Sequence, residues 1–348
     1  MKRSSLNKKW VAVYDRYKAI HEELGEIIVG HESAKSQLAI AAAEHFFGEC
    51  RPEPGQPRVT LLTGPTGVGK TQLCQSLAEI LDVRFGRVDA GLLTPPGYHG
   101  LDLDQMLTDF IVERPKAADQ KGDPEKESPT QFEDTHGILL LDEFDKVAVS
   151  AEGPAGNHEK YQNALQVSLL SLFEGRPIPL SKQYGSWLFD SSKLLILAAG
   201  CFDGRKLGRS RNFGSLTPPS KRGMPDSDLT HGDLIKLGIM PELAGRIRAI
   251  VPLESLSSHH FERLAARLLE SDGCSVLGFK LEIECANGVQ DLGKILHSCG
   301  LGARSFFVVL EKIKSDAYIG HGQLKIDGRR KVITVSSFYL RSSWPSLF

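Results

Sequence analysis

A glycine-rich octapeptide, G-P-T-G-V-G-K-T at residues 64–71, restricts the possible folds more than any other segment. It matches the pattern G-x-x-x-x-G-K-[ST] in full. The apolar run 59–63 before it is typical of a short buried strand, and residues 71–81 after it are predicted to form a helix. Glycines let the backbone N–H groups of such a loop turn around an anion, at the positive end of the helix dipole. The octapeptide therefore predicts a phosphate-binding loop at the start of a βαβ unit.

Single positions of this loop suit a nucleoside triphosphate. Lys70 is placed to reach the β- and γ-phosphates, and Thr71 offers a hydroxyl to Mg²⁺. We therefore expect ATP and Mg²⁺ as cofactors, and we expect Lys70 to assist catalysis as well as binding. The predicted nucleotide contacts here are Pro65, Thr66, Gly67, Val68, Gly69, Lys70, Thr71 and Gln72. A glycine-rich turn with a purely structural role is the alternative.

A second apolar run, 138–141, ends in two carboxylates, Asp142 and Glu143. A parallel strand buried on both faces has this composition, and ligands of α/β sheets bind at the carboxyl ends of the strands. Asp142 would position Mg²⁺, and Glu143 would act as the general base for a water that attacks the γ-phosphate. The alternative is a pair of surface acids that cap the next element. A third buried strand is predicted at 194–199.

The length of 348 residues is enough for about two domains. We expect an N-terminal helical extension over 1–25, a large α/β domain over 26–252 and a smaller, mostly helical domain over 253–348. Two polar stretches, 115–136 and 203–230, are predicted to be solvated loops.

Composition narrows the range of partners. Lys plus Arg total 42 and Asp plus Glu total 43, whereas duplex nucleic acid usually selects a basic domain or face. The six cysteines include no C-x-x-C pair, which argues against a zinc knuckle or a disulfide framework. The basic N-terminus lacks the apolar segment of a secretory signal, and no apolar run is long enough to cross a bilayer. We expect a cytoplasmic protein without a membrane partner, and the balanced charge disfavours a nucleic-acid partner.

Seven further segments occur in the order found in one family of ATPases. They are 28–31 (IVGH), 97–100 (GYHG), 143–146 (EFDK), 172–175 (LFEG), 200–202 (GCF), 240–246 (MPELAGR) and 302–304 (GAR). With the two motifs above, they resemble the ClpX/HslU (Clp/Hsp100) family of AAA+ ATPases, from about residue 25 to about residue 338. The resemblance implies a P-loop AAA+ domain with a parallel sheet, followed by a small, mostly helical C-terminal domain. It also implies a homo-oligomeric, hexameric ring that acts on a protein substrate.

The resemblance assigns roles to residues outside the two motifs. Ile28 and Val29 would contact the adenine. Tyr98, with His99 beside it, would line the channel of the ring and grip a threaded polypeptide. On the residues alone, Tyr98 could instead pack at a turn.

Two arginines complete the set that the resemblance assigns. Arg246 would project into the nucleotide of a neighbouring subunit, where an arginine supplied in trans stabilises transition-state charge. Arg304 would contact ATP from the small domain. A surface ion pair is the alternative for Arg246, and Arg248 is a nearby candidate for the same role. A carboxylate partner is the alternative for Arg304.

The chain also departs from the family pattern. We expect no counterpart of the N-terminal zinc-binding domain of ClpX. The Ile-Gly-Phe loop that docks the ClpP peptidase is replaced by S-R-N-F-G-S at 210–215, and placing the Arg211 charge in an apolar pocket would be costly. This argues against a ClpP-type peptidase partner. The family's Arg-Lys-His loop is missing, and the strand ending at Gly200 offers no polar residue for the sensor 1 position.

Three functions are compatible with these features. The first is a ClpX-like unfoldase that uses ATP hydrolysis to thread a polypeptide through the pore of a ring. The second is an ATP-switched binding or assembly module that acts on a dedicated protein partner without threading. The third is a nucleic-acid-associated ATPase, which the near-neutral charge disfavours although basic residues recur between Arg205 and Arg222.

Overall fold

The computed structural model describes residues 2–48, 57–95, 100–112, 136–149, 157–180, 187–202, 229–270, 275–276, 279–284, 286–319, 324–327 and 332–344. The chain divides into two compact units. The first unit comprises Met1–Ile27, His31–Gly64 and Lys70–Leu253, and the second comprises Ile28–Gly30, Pro65–Gly69 and Glu254–Phe348. Five residues of the predicted phosphate loop therefore group with the C-terminal part of the chain.

The first unit is built on a five-stranded parallel sheet. Its strands are β1 (Arg58–Thr63), β2 (Arg84–Asp89), β3 (Gly137–Asp142), β6 (Leu194–Gly200) and β7 (Ile247–Pro252). They lie in the order β2-β3-β6-β1-β7, and every neighbouring pair is parallel. Strands β4 (Ile178–Leu180) and β5 (Trp187–Phe189) form a separate antiparallel hairpin. The parallel sheet confirms the predicted P-loop α/β fold class.

The described part of this unit contains seven α-helices. They are α1 (Lys2–Ile27), α2 (Glu32–Phe47), α3 (Lys70–Leu81), α4 (Leu103–Val112), α5 (Asn157–Phe173), α6 (His231–Lys236) and α7 (Pro241–Ala244). Helix α3 directly follows the glycine-rich loop after β1, so the predicted strand–loop–helix unit is confirmed. No helix in the described part of the chain combines the length and apolarity needed to cross a membrane.

Burial explains why three strands could be read from the sequence. Every residue of β3 and of β6 is buried, and only the first residue of β1 is partly exposed. A strand covered on both faces must be apolar throughout, which produces continuous apolar runs instead of alternation. Leu139 and Leu141 are fully buried in the core of this unit, where truncating a leucine to alanine costs about 2–5 kcal/mol. Asp142 is the exception at the end of β3, and its placement defines the site.

The second unit combines helices with a small mixed sheet. Its helices are α8 (Ser258–Glu270), α9 (Ala286–Ser298), α10 (Ser305–Ile319) and α11 (Ser337–Ser343). Its strands are β8 (Ser275–Val276), β9 (Phe279–Ile283), β10 (Leu324–Asp327) and β11 (Val332–Val335), in the order β10-β11-β9-β8. Of these strands, only β11 lies in a run whose sequence predicts a strand, K-V-I-T-V at 331–335.

Candidate functional site

The glycine-rich loop has a backbone that residues other than glycine adopt with strain. Gly67 has φ +81° and Gly69 has φ +100°, a region in which a Cβ atom is unfavourable. A Cβ on Gly67 would lie 2.3 Å from the carbonyl oxygen of Leu301, whereas a Cβ on Gly69 would meet no atom within 4 Å. Gly67 is therefore fixed by packing, and Gly69 borders open space. This arrangement suits the close approach of an anion to the loop backbone.

Two side chains at the start of α3 extend from the end of this loop. The ammonium group of Lys70 donates to the carbonyl oxygen of Gly64 at 2.6 Å. The hydroxyl of Thr71 donates to Oδ2 of Asp142 at 2.9 Å. The second contact joins the first turn of α3 to the carboxyl end of β3, as the sequence motifs predict for a shared metal site.

Asp142 accepts more hydrogen bonds than the sequence suggests. It is buried, with 8% of its surface exposed. Besides Thr71, its Oδ2 faces Arg87, whose Nε lies at 3.1 Å and whose Nη2 lies at 2.9 Å. Its Oδ1 accepts the backbone N–H of Glu143 at 3.0 Å. Both carboxylate oxygens are therefore hydrogen-bonded, and the negative charge has a cationic partner.

Sequence reasoning missed Arg87. In the register of β2 and β3, Asp89 pairs with Asp142 and Arg87 pairs with Leu140. Paired residues of neighbouring strands face the same side of a sheet, and residues two apart on one strand share a face. Arg87 and Asp142 are therefore diagonal neighbours on one face. The sequence R-F-G-R-V-D of β2 does not alternate regularly between polar and apolar residues, and no local pattern reveals the register of β2 against β3.

The oxygen atoms around Asp142 fit a magnesium ion, which needs few protein ligands. Mg²⁺ is usually bound through one or two protein oxygens, with water and substrate phosphates completing an octahedron. The Thr71 hydroxyl and the Asp142 carboxylate are oxygen donors 2.9 Å apart. In the described ranges, no group of three or more His, Cys, Asp or Glu side chains could hold a metal. The Thr71 and Asp142 oxygens fit a cation that water and substrate phosphates would also coordinate.

Glu143 lies immediately beyond β3 in an unusual conformation. Its φ of +54° and ψ of +35° place it in the left-handed region, which is uncommon for residues other than glycine. Such strain often accompanies a functional position. Its carboxylate pairs with the ammonium group of Lys146 one turn later, and this hydrogen bond raises the pKa of Lys146. The Glu143 carboxylate is about half exposed and is paired with Lys146.

One further contact fixes the segment after Glu143. Oδ1 of Asp145 accepts the backbone N–H of Cys201 at 3.1 Å, at the end of β6. Asp145 therefore ties the ends of two neighbouring strands together. Cys201 follows the strand end at which the sequence offers no sensor 1 side chain, and its backbone N–H makes this contact.

A buried amide links this turn to the segment that leads into α7. Gln166, on α5, is fully buried. Its Nε2 donates to the carbonyl oxygens of Val147 at 3.1 Å and Gly238 at 2.9 Å. Its Oε1 accepts the backbone N–H of Met240 at 2.6 Å. One side chain thus bonds three backbone groups from two different segments.

Arg246 follows α7, a short helix that begins with a proline, Pro241, at its first position. Its Nη2 donates to Oε1 of Glu174 at 2.9 Å, and Nε of Arg176 lies 2.6 Å from the other oxygen of that carboxylate. Glu174 is largely buried, with 13% of its side chain exposed, against 35% for Arg246. In this chain Arg246 therefore takes part in an ion pair, as the alternative interpretation proposed. Its role toward a neighbouring subunit stays a prediction.

In the second unit, the turn before Arg304 packs on the glycine-rich loop. The backbone N–H of Ala303 donates to the carbonyl oxygen of Gly67 at 2.8 Å. Arg304 ends a short 3₁₀ turn, Gly302–Arg304, directly before α10, and its side chain is exposed. Among the described residues, no carboxylate lies in ion-pair contact with it. The structure thus brings the position of Arg304 close to residues 65–69.

The predicted adenine segment also belongs to the second unit. Ile28 and Val29 are buried, with 9% and 4% of their surface exposed. The ring of His260, on α8, lies 3.3 Å from where a Cβ on Gly30 would be. Nδ1 of His260 accepts the backbone N–H of Ser257 at 3.2 Å. The segment is therefore held against the start of α8.

Some predicted site residues are peripheral, and two lie outside the described residues. Thr66 and Gln72 are exposed, and Val68 is buried. Tyr98 and His99 fall in 96–99, which the structure does not describe. The same holds for most of the two predicted polar loops and for 210–215.

Comparison with known proteins gives two results. The family model described as "AAA domain (Cdc48 subfamily)" matches residues 57–250. The chain is also similar to the ATP-dependent Clp protease ATP-binding subunit ClpX of Treponema denticola, at 27% identity over 90% of this chain and 79% of that protein. The protein of the same name from Porphyromonas gingivalis is 27% identical over 68% of this chain and 60% of its own length.

The match to the AAA domain model covers more than half of the chain and includes both phosphate-site motifs. The parallel sheet, the glycine-rich loop and the acids that follow β3 agree with that match. The chain therefore belongs to the family described as AAA domain (Cdc48 subfamily), and it is an AAA+ ATPase similar to ClpX.

Proposed function

We propose that the chain binds ATP with Mg²⁺ at the loop 64–71 and hydrolyses it with Glu143 as the general base. The observation that supports this most directly is the hydrogen bond from Thr71 to Asp142 at 2.9 Å, with Glu143 next along the chain. Asp142 ends β3, Glu143 follows it, and Thr71 lies in the first turn of α3, so this contact supports the proposal.

Each residue then has a chemical task. The backbone N–H groups of 66–69 and the Lys70 ammonium group hold the phosphates. Thr71 and Asp142 would hold Mg²⁺, which neutralises charge on the β- and γ-phosphates when it is bound. Glu143 takes a proton from water as the water oxygen bonds to the γ-phosphorus, while the bond from that phosphorus to the bridging oxygen of ADP breaks. Arg304 and the segment Ile28–Val29 would contact the nucleotide from the second unit.

We infer that six copies of this chain form a ring, and that the ring uses ATP hydrolysis to remodel another protein. The relatives are named as ATP-binding subunits of a Clp protease. In the proposed ring, Arg246 leaves Glu174 and stabilises charge at the nucleotide of the next subunit. Tyr98 and His99 contact the threaded polypeptide. The large domain would span 26–252 and the small domain 253–348, after an extension over 1–25.

A Glu143→Gln variant tests the hydrolytic assignment. The amide keeps the size of the side chain and removes the base, so ATP binding should persist while turnover falls by about 10²–10⁴-fold. Retention of wild-type turnover would exclude Glu143 as the base. Failure of the unmodified chain to bind ATP with Mg²⁺ would remove the proposal as a whole.

An ATP-switched binding module is the second candidate. Arg211 occupies the place of the apolar anchor that docks the ClpP peptidase in ClpX, so a pairing with a ClpP-type peptidase is not proposed. A Tyr98→Ala variant separates the two functions. Threading predicts that ATPase activity continues while unfolding of a protein substrate is lost, and a switch predicts that both continue.

A further inference from the structure

Arg87 is a cation that the proposed hydrolysis does not use. It lies on β2, the edge strand of the parallel sheet, and 56% of its side chain is exposed. Two nitrogens of its guanidinium face a single oxygen, Oδ2 of Asp142, at 3.1 and 2.9 Å. Asp142 is its ion-pair partner among the described residues.

Arg87 and the Thr71 hydroxyl, a proposed metal ligand, contact the same oxygen of the Asp142 carboxylate. Oδ2 of Asp142 accepts from the Thr71 hydroxyl as well as from Arg87. The other oxygen, Oδ1, accepts the backbone N–H of Glu143. A cation or its hydration water that approaches Asp142 beside Thr71 therefore meets lone pairs already shared with the guanidinium.

The charge of Arg87 determines how this contact affects metal binding. A guanidinium is always protonated, and it matches a carboxylate better than an ammonium group does. While it is paired, it neutralises Asp142 and lowers the attraction of that carboxylate for a divalent cation. The same positive charge would repel Mg²⁺ held a few ångströms away. Both effects oppose metal binding and neither prevents it, because Arg87 is more than half exposed and can turn into solvent.

We propose that Arg87 competes with Mg²⁺ for Asp142 and so raises the Mg²⁺ concentration at which the chain binds nucleotide. The inference rests on the proposed function, since it requires that Thr71 and Asp142 hold the cation with a bound triphosphate. Arg87 is a positioning residue here, and it acts through Asp142.

The test is a Mg²⁺ titration of nucleotide binding. A fluorescent, slowly hydrolysed ATP analogue reports binding to the full chain without relying on turnover. Arg87→Gln should lower the Mg²⁺ concentration for half-maximal binding by about fivefold, as expected for a partly exposed ion pair of about 1 kcal/mol. Arg87→Lys keeps the positive charge but loses the forked guanidinium group. Its Mg²⁺ concentration for half-maximal binding should therefore lie between those of Arg87→Gln and the unmodified chain. The difference between Arg87→Gln and the unmodified chain should shrink at high salt.

Lys160→Gln on α5 is the matched control, because it removes the same charge from an exposed side chain of the same unit. It should leave the midpoint unchanged. Thermal unfolding without nucleotide measures whether each variant is folded. If Arg87→Gln does not fold, Arg87→Lys is compared with the unmodified chain instead.

The outcomes are distinct. An unchanged or higher midpoint in folded Arg87→Gln would overturn the inference. Weaker binding at saturating Mg²⁺ would overturn it too, because Arg87 would then contact the phosphates directly. If the unmodified chain bound no nucleotide at any Mg²⁺ concentration, the proposed function would fail and this inference with it.

Discussion

Replacing Gly67 by alanine should destabilise the nucleotide-free chain as well as weaken nucleotide binding. The φ of +81° at Gly67 disfavours any residue with a Cβ, at a cost of about 1–2 kcal/mol. The new Cβ would lie 2.3 Å from the carbonyl oxygen of Leu301. Relieving such an overlap by a backbone shift costs about 1–3 kcal/mol. The expected loss of unfolding free energy is therefore about 2–5 kcal/mol.

Gly69→Ala is the matched control. Its φ of +100° carries a similar strain, but its Cβ would meet no atom within 4 Å. It should cost about 1–2 kcal/mol of stability, and it should still weaken nucleotide binding because the methyl group fills space beside the loop. Urea unfolding of both variants without nucleotide, followed by circular dichroism, measures the difference. If Gly67→Ala were no less stable than Gly69→Ala, the packing of residues 65–69 against the turn before α10 would be refuted.

Three further outcomes are expected. Thr71→Val removes the hydroxyl proposed as an oxygen ligand of Mg²⁺, so the Mg²⁺ concentration for half-maximal nucleotide binding should rise by at least about tenfold, whereas Thr71→Ser should keep the wild-type value. Arg246→Ala leaves the largely buried Glu174 without this partner and should lower stability by about 1–3 kcal/mol in chemical denaturation, an effect that Arg246→Lys should reduce. Burial and then the Asp142 charge raise the pKa of the Cys74 thiol. The folded chain therefore keeps that proton at a pH at which the unfolded chain has lost it, so the free energy of unfolding should fall as pH rises above about 8.5. In thiol labelling at pH 8, the exposed Cys201 should react before the buried Cys74.

The sequence predicted the parts of the fold whose signals are local. Strands β3 and β6 are continuous apolar runs because both of their faces are covered. The loop and α3 could be predicted from the motif at 64–71, because its glycines and its lysine each suit phosphate binding within one short segment. The contact between Thr71 and Asp142 could also be expected, because the loop after β1 and the acids after β3 follow the carboxyl ends of parallel strands. These strand ends meet at one edge of the sheet.

The parts that sequence reasoning missed depend on pairing between distant segments. In the second unit, β9 pairs in parallel with β11 and antiparallel with β8, and strands of two to five residues are too short to give a periodic signal. The role of Arg87 depends on the register of β2 against β3, which no local pattern encodes. Arg246 was open to two interpretations because a surface arginine gives no sign of its partner before the fold brings Glu174 near it.

The three hydrogen bonds of the Gln166 amide restrict how the first unit can respond to hydrolysis. Because the amide is fully buried, water cannot replace any of its backbone partners, and displacing the turn after Glu143 must strain the bond to Met240 or carry that residue along. The turn after Glu143 and the segment that leads into α7 should therefore move together, so that a shift at the end of β3 reaches Met240 through one amide side chain.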